Sequence, residues 1–214
     1  MICGFLNIES NTIFGIKKEM TRNFTNLIKI NEYAWNYIVI DNKYYLIDIA
    51  SAIDKCENVP FRSDDVYFFG INPEFSIRHR FPNDKKWQLL SKPITEDKFK
   101  SQAILYGGFF EYFKSFSPDI QTLRFEDNMK IKLTVKDPNI QKWYFDDLLL
   151  KEGYPVPVFG YQREGSIKNG TCEYNVELLR TGNTYGYIYI YIYRGIGTIR
   201  EGCGNIIYEA FYNK

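Results

Sequence analysis

The chain has 214 residues, of which 45% are hydrophobic and 25% charged, a composition typical of a soluble globular protein and not of a disordered one. Lysine and arginine number 27 against 26 aspartates and glutamates, and the charges form no basic stripe suited to a nucleic-acid backbone. Neither a signal-peptide pattern nor a run of 18 apolar residues occurs, which predicts a cytoplasmic protein without a membrane span.

The elements predicted for the first half are mostly strands. Residues 1–30 contain short apolar pieces broken by polar residues, which indicates strands or loops. The segment from Tyr33 to Ala50 alternates with period two around Asp41-Asn42, and this pattern predicts a β-hairpin. Residues 51–60 are polar and are not assigned to a regular element.

A short strand is predicted before a turn at Asn72-Pro73, followed by a loop-rich stretch that reaches residue 90. Thr95, with two acidic residues after it, predicts the start of a short connecting helix. His79, the only histidine, lies between two arginines in this stretch and is expected to be exposed to solvent.

Beyond Phe116 the sequence alternates with period two between turns that contain Gly, Asn or Pro, as in an antiparallel β-sandwich. The predicted class is therefore mainly β (α+β), with one domain over residues 1–105 and a β-sandwich over residues 106–214. Trp87 and Trp143 are each expected to anchor a local core, because each is a single large ring beside an apolar run.

The cysteines are too far apart to predict a zinc site, and no metal or cofactor is expected. They are Cys3, Cys56, Cys172 and Cys203, and the interpretation favoured for them is free thiols, either buried or facing solvent.

The hairpin brings together two residues of chemical interest. If Asp41 and Asn42 are the loop residues, Ile40 pairs with Lys43, and Tyr33 then lies diagonally from Asp48 on one face. Diagonal neighbours are roughly 7–8 Å apart at Cα, within reach of a ring and a carboxylate. Thiol acyl transfer uses such an arrangement with histidine in place of the tyrosine, because an imidazole can deprotonate the thiol while a carboxylate orients it.

The stretch AWNYIVIDNKYYLIDIA resembles the His-Ala-Trp-Asn hairpin of the transglutaminase-like superfamily, with Tyr33 at the histidine position. The matching residues are Ala34, Trp35, Asn36, Tyr45, Leu46 and Asp48. A second motif is similar to the kyphoscoliosis-peptidase group, and it comprises Pro73, Glu74, Phe81, Pro82, Asp84, Trp87, Gln88, Leu89, Leu90, Pro93, Ile94 and Thr95.

This resemblance covers about residues 30 to 214. It implies a truncated transglutaminase-like, papain-like β-core over residues 1–105 and an Ig-like antiparallel β-sandwich over 106–214. The motif residues expected in the site region are Trp35, Asn36, Trp87 and Gln88, and no metal is implied.

Two departures from the family pattern predict a non-catalytic protein. Tyr33 carries a phenol with a pKa of about 10, which stays neutral at pH 7 and cannot hold a nearby thiol as thiolate. The family's nucleophilic cysteine opens a helix upstream of the histidine, and Cys3 has no such context. Tyr33 and Asp48 are therefore expected to occupy the positions of a lost catalytic pair, with Asp48 accepting a hydrogen bond from the Trp35 indole or a hydroxyl.

The leading functional expectation is a protein-binding or scaffolding module, and the resemblance implies a cytoskeletal partner. One alternative is a fragment or subunit of a thiol-dependent transglutaminase or cysteine peptidase whose catalytic cysteine lies outside this chain. Another is a carbohydrate- or peptide-binding sandwich that uses a tyrosine face formed by Tyr187, Tyr189 and Tyr191, although packing of those rings within the protein is favoured over binding.

Overall fold

The computed structural model describes residues 7–20, 28–56, 68–106, 109–124, 129–137, 139, 143–151, 154–159, 163–176, 184–196 and 199–212. The described residues fall into two units, one within Met1–Glu19 and Ile28–Phe99 and the other within Met20–Leu27 and Lys100–Lys214. The protein is mainly β with antiparallel sheets, as predicted. The identification of the two parts as a transglutaminase-like core and an Ig-like domain, with the boundary after residue 105, stays a prediction.

The first unit is built on a five-stranded sheet with the strand order β4-β3-β2-β1-β5. Its elements in chain order are β1 (Ser10–Met20), β2 (Ile28–Ile40), β3 (Lys43–Ile47), α1 (Ile49–Cys56), β4 (Phe69–Ile71), α2 (Pro73–His79), β5 (Arg80–Pro82), a 3₁₀ helix (Lys85–Gln88) and the beginning of α3 (Glu96–Ser101).

The predicted hairpin is confirmed in its turn and its register. Ile40 pairs with Lys43, and the two loop residues Asp41 and Asn42 have φ angles of 50° and 59°. Two consecutive left-handed residues make a type I′ turn, whose twist matches that of the flanking strands. The face of β2 that carries Trp35 and Tyr37 is buried in the core of the first unit.

The core of the first unit lies on this face of the sheet. Its buried residues are Ile13, Trp35, Tyr37, Leu46 and Ile71, with Tyr33, Val39, Phe75, Trp87 and Leu89 packed against them. The predicted role of Trp87 as an anchor of a local core is confirmed, because its ring stacks on Tyr37 with centroids 4.2 Å apart.

Three sequence interpretations for the first unit differ from the structure. The polar run after Ala50 includes most of helix α1, and the stretch expected to be loop-rich contains α2 and a 3₁₀ helix. Asn72 begins α2 by accepting a hydrogen bond from the Glu74 backbone N–H, and Pro73 occupies the first turn, where its missing N–H costs nothing. His79 ends α2 and is buried, not exposed, because the helix packs its ring against Phe75.

The short connecting helix at residue 95 is confirmed. Helix α3 covers Glu96–Ser101, and the Thr95 hydroxyl accepts a hydrogen bond from the Lys98 backbone N–H at 3.2 Å. This is the N-cap bond expected of a threonine in that position.

The second unit contains a sheet whose hydrogen-bonded path is β6-β15-β14-β10-β12-β13-β9-β7, with β11 beside β10 and β8 parallel to β15. Its elements are β6 (Ile104–Tyr106), α4 (Phe109–Tyr112), β7 (Phe113–Ser117), β8 (Thr122–Arg124), β9 (Met129–Val135), β10 (Trp143–Lys151), β11 (Tyr154–Phe159), β12 (Arg163–Lys168), β13 (Thr171–Val176), β14 (Thr184–Ile196) and β15 (Ile199–Tyr212).

One contact shows that this sheet curls over its own core. Phe113 on β7 and Trp143 on β10 have ring centroids 4.7 Å apart, although four strand spacings separate them along the sheet. In a flat sheet four spacings would amount to about 19 Å. The two halves of the path therefore face one another across a shared core, and Trp143 is buried in it, as predicted.

Candidate functional site

Tyr33 and Asp48 meet as the hairpin geometry predicted. The Tyr33 hydroxyl donates a hydrogen bond to Asp48 Oδ1 at 2.7 Å. Tyr33 lies on β2, and Asp48 follows β3 directly, with its backbone N–H donating to the Phe68 carbonyl at 2.8 Å. The contact brings together the two residues that the resemblance would align with a histidine and an aspartate, and both this correspondence and their role stay predictions.

Asp48 also caps helix α1. The Ser51 backbone N–H donates to Asp48 Oδ1 at 2.9 Å, and the Ser51 hydroxyl donates to Oδ2 at 2.7 Å. An aspartate that precedes the first helical residue and accepts from the N–H of the third is an N-cap, which satisfies one of the open donors of the first turn. One carboxylate thus serves both the helix start and the Tyr33 phenol.

A buried ion pair completes the surroundings of Asp48. Arg80, the first residue of β5, donates from Nε to Asp48 Oδ2 at 2.6 Å and also from Nη2 to the same oxygen. Both side chains are withdrawn from solvent, Asp48 at 0% exposure and Arg80 at 4%. A buried carboxylate needs such a partner, because an isolated charge in the protein interior is strongly unfavourable.

Lys17 on β1 approaches the same group from another side. Its Nζ donates to the Ser51 hydroxyl oxygen at 3.0 Å and lies 4.4 Å from the centre of the Tyr33 ring. Glu19, two residues along β1, is 3.5 Å from Nζ and accepts a further hydrogen bond from Asn31. We call Lys17, Tyr33, Asp48, Ser51 and Arg80 the Asp48 network.

The network fixes the protonation state of its two acids. Burial alone would raise the pKa of Asp48, but the Arg80 charge, together with the hydrogen bonds from Ser51 and Tyr33, outweighs it and lowers that pKa below 3.8. Burial raises the pKa of Tyr33 to about 12; the adjacent carboxylate adds to the increase and the Ser51 hydroxyl partly offsets it. At neutral pH, Asp48 is therefore charged and Tyr33 is a neutral donor.

Both groups of the Tyr33–Asp48 contact are engaged in hydrogen bonds within the network. The phenol keeps its proton, and both carboxylate oxygens already accept hydrogen bonds from the network. Cys172, the cysteine whose side chain the structure describes, lies in the core of the second unit, where burial raises its pKa to about 12. Cys3 lies outside the described residues.

The two other motif residues of the hairpin, Trp35 and Asn36, do not contact Asp48 through hydrogen bonds among the described residues. Trp35 is 2% exposed, and its indole Nε1 has no hydrogen-bond partner among the described residues. The expected bond from this indole to Asp48 is therefore not formed, whereas the expected hydroxyl bond is. Asn36 Nδ2 donates to the Thr12 hydroxyl at 3.2 Å, which links β2 to β1 on the opposite face from Tyr33.

Trp87 and Gln88 stabilise the polypeptide that follows β5. Tyr44 packs edge-on to both stacked rings of Trp87 and Tyr37. Gln88 is buried, and its amide makes two hydrogen bonds to the backbone of Ile94, accepting from N–H at 2.8 Å and donating to C=O at 3.0 Å. These contacts hold the 3₁₀ helix against the sheet and do not involve Asp48.

The tyrosine face proposed from the sequence falls on the longest hairpin of the second unit, formed by β14 and β15. Tyr187, Tyr189 and Tyr191 lie on strand β14, but their side chains are outside those that the structure describes. Ile192 on the same strand is buried in the core of the second unit.

Sequence reasoning missed Lys17, Ser51 and Arg80. A signal for the Ser51 contact was present, because an aspartate directly before an amphipathic run is a candidate N-cap, whose carboxylate accepts from the backbone three residues later. No local pattern identifies Lys17 or Arg80, since their contacts depend on how β1 and β5 pair at the edge of the sheet.

Within the part of the chain that the structure describes, no helix is long and apolar enough to cross a membrane. The same residues include no cluster of three or more histidine, cysteine or acidic side chains that could hold a metal ion.

Comparison with known proteins assigns no family. A scan against protein-family models found no match, and a search of curated proteins found no similar sequence.

Proposed function

We propose that this chain is a non-catalytic transglutaminase-like protein that acts by binding another protein. The observation that carries the proposal is the hydrogen bond from the Tyr33 hydroxyl to Asp48 at the position where the resembled family has a histidine. A neutral phenol with a pKa of about 12 does not accept a proton from a thiol at pH 7. The carboxylate that would orient an imidazole instead caps α1 and pairs with Arg80.

The resemblance to the kyphoscoliosis-peptidase group suggests a cytoskeletal or scaffolding partner. Several large apolar side chains of the first unit are exposed and available for contact. The exposed fractions are 65% for Phe14, 59% for Phe69, 55% for Ile49 and 49% for Tyr44. Exposed aromatic side chains are the type that contributes most to protein interfaces.

The absence of catalysis is tested on the purified chain. We expect neither amine incorporation into a glutamine-containing protein nor release of ammonia from a glutamine peptide, and no cleavage of an unfolded protein substrate. Transfer or cleavage that disappears in Cys3→Ala would contradict the proposal, because it would identify a working nucleophile in this chain.

Binding is tested by co-sedimentation of the chain with actin filaments and with microtubules, using variants of the exposed residues. Binding should weaken at least tenfold in the double variant Phe14→Ser/Phe69→Ser. The matched control is Lys43→Ser, which changes an exposed polar side chain at the β2–β3 turn and should bind as the unmodified chain does. No retention on either filament would contradict the cytoskeletal assignment.

A further inference from the structure

The positive and negative side chains around position 33 nearly cancel one another, whatever residue occupies that position. The Asp48 carboxylate is offset by Arg80 at hydrogen-bond distance, and Lys17 is offset by Glu19 at 3.5 Å. The Tyr33 hydroxyl adds a neutral donor to this set.

We infer that Arg80 supplies the positive charge that the buried Asp48 carboxylate requires, so that position 33 favours a neutral side chain and disfavours an imidazolium. This inference rests on the proposed function, because it takes Tyr33 to stand where the resembled family has its base. It adds that two residues, Tyr33 and Arg80, maintain the non-catalytic state, so that a histidine at position 33 alone would not restore a protonated ring beside Asp48.

The physical reason is competition for one carboxylate. A guanidinium is always charged in proteins, and Arg80 binds Oδ2 through two of its nitrogens. A second cation at position 33 would gain little from a carboxylate that is already neutralised. It would also be repelled by Arg80 and by Lys17, whose Nζ lies over the ring at that position.

The groups that face position 33 come from three parts of the chain. Asp48 and Ser51 belong to the junction of β3 with α1, Arg80 to β5, and Lys17 to β1. The Glu19 carboxylate lies 3.5 Å from the Lys17 Nζ.

The test places a histidine at position 33 and monitors its titration by NMR. Two variants are compared, Tyr33→His and Tyr33→His/Arg80→Gln. The unmodified chain contains one histidine, so its spectrum identifies the His79 signal and the additional signal belongs to position 33. We expect a titration midpoint below about 6.5 in the single variant and a midpoint higher by about one pH unit or more in the double variant.

The control is Tyr33→His/Arg80→Lys, which keeps a positive charge on β5. Its midpoint should stay within about 0.3 pH units of the single variant, because the positive charge beside Asp48 is kept. Equal midpoints in the Gln and Lys variants would overturn the inference.

If Tyr33→His/Arg80→Gln does not fold, the single variant decides, since a midpoint above about 6.5 there would also overturn the inference. Failure of the proposed function would be seen separately, as thiol-dependent transfer or cleavage by the unmodified chain.

Discussion

The Arg80 guanidinium donates from Nε to Asp48 Oδ2 at 2.6 Å, across three strand spacings of the first sheet. Arg80 begins β5 at one edge, whereas Asp48 follows β3 near the other edge. Spacings of about 4.8 Å place these strands roughly 14 Å apart, so the two side chains meet over the face of the sheet. The pair therefore ties the edge strand β5 to the start of α1.

Removing one partner of this pair should destabilise the protein strongly. Arg80→Met and Asp48→Asn should each lower the free energy of unfolding by about 3–5 kcal/mol, because each leaves buried polar groups without their partner. Urea unfolding of the two single variants and of the double variant measures the coupling. We expect the double variant to lose at least 1 kcal/mol less than the sum of the single losses. Additive losses would show that the two side chains do not stabilise one another.

The free energy of unfolding should also decrease at acidic pH, because Asp48 becomes protonated. Its pKa in the folded protein is depressed below 3.8, so its contribution is present above that value and is lost as the pH falls below it. Urea unfolding at pH 5, 4, 3 and 2.5 should show this loss in the unmodified protein. Asp48→Asn should have a shallower dependence over the same range, because the titrating group is gone. Parallel curves for the two proteins would contradict the assigned direction.

Gly15 allows the close approach of β1 and β5 that positions Arg80. A Cβ on Gly15 would lie 2.1 Å from the Phe81 carbonyl oxygen and 2.8 Å from Pro82 Cα, too close for any real contact. Gly15→Ala should therefore destabilise the protein by about 2 kcal/mol or more, since backbone must move to admit the methyl group. Phe14→Ala is the control, because Phe14 is exposed and its loss should change stability by less than about 0.5 kcal/mol. Equal unfolding midpoints for Gly15→Ala and the unmodified protein would show that β1 and β5 lie farther apart at Gly15 than the structure places them.

The hairpin and its Tyr33–Asp48 contact were predictable because they depend on residues close in sequence. Alternation and the Asp41-Asn42 turn fix the register, and the register fixes which side chains can meet. Arg80 was not predictable, because it is 32 residues from Asp48 and reaches it only through the pairing of Lys17 with Arg80 in β1 and β5. His79 was misplaced for a related reason, since its burial follows from helix α2 and the Phe75 ring, neither of which the arginine-flanked sequence indicated.

Cys172 should be unreactive in the folded protein. Burial raises its pKa to about 12, and only the thiolate reacts rapidly with alkylating reagents. Brief iodoacetamide treatment at pH 7.5, followed by mass spectrometry of each cysteine, should leave Cys172 unmodified in native buffer and modify it in 6 M urea. Modification of Cys172 at a similar rate in both conditions would show that the core of the second unit opens readily.

Gln88 should be required for the order of the segment that follows the 3₁₀ helix. Its amide satisfies both backbone polar groups of Ile94, so Gln88→Met would leave an N–H and a C=O without their partner. The expected loss in unfolding free energy is about 1–3 kcal/mol, whereas Lys85→Met, at an exposed position of the same 3₁₀ helix, should cost less than about 0.5 kcal/mol. Hydrogen exchange locates the effect, because the Ile94 amide should lose protection in Gln88→Met and retain it in Lys85→Met. Retained protection at Ile94 in Gln88→Met would mean that another group holds this backbone.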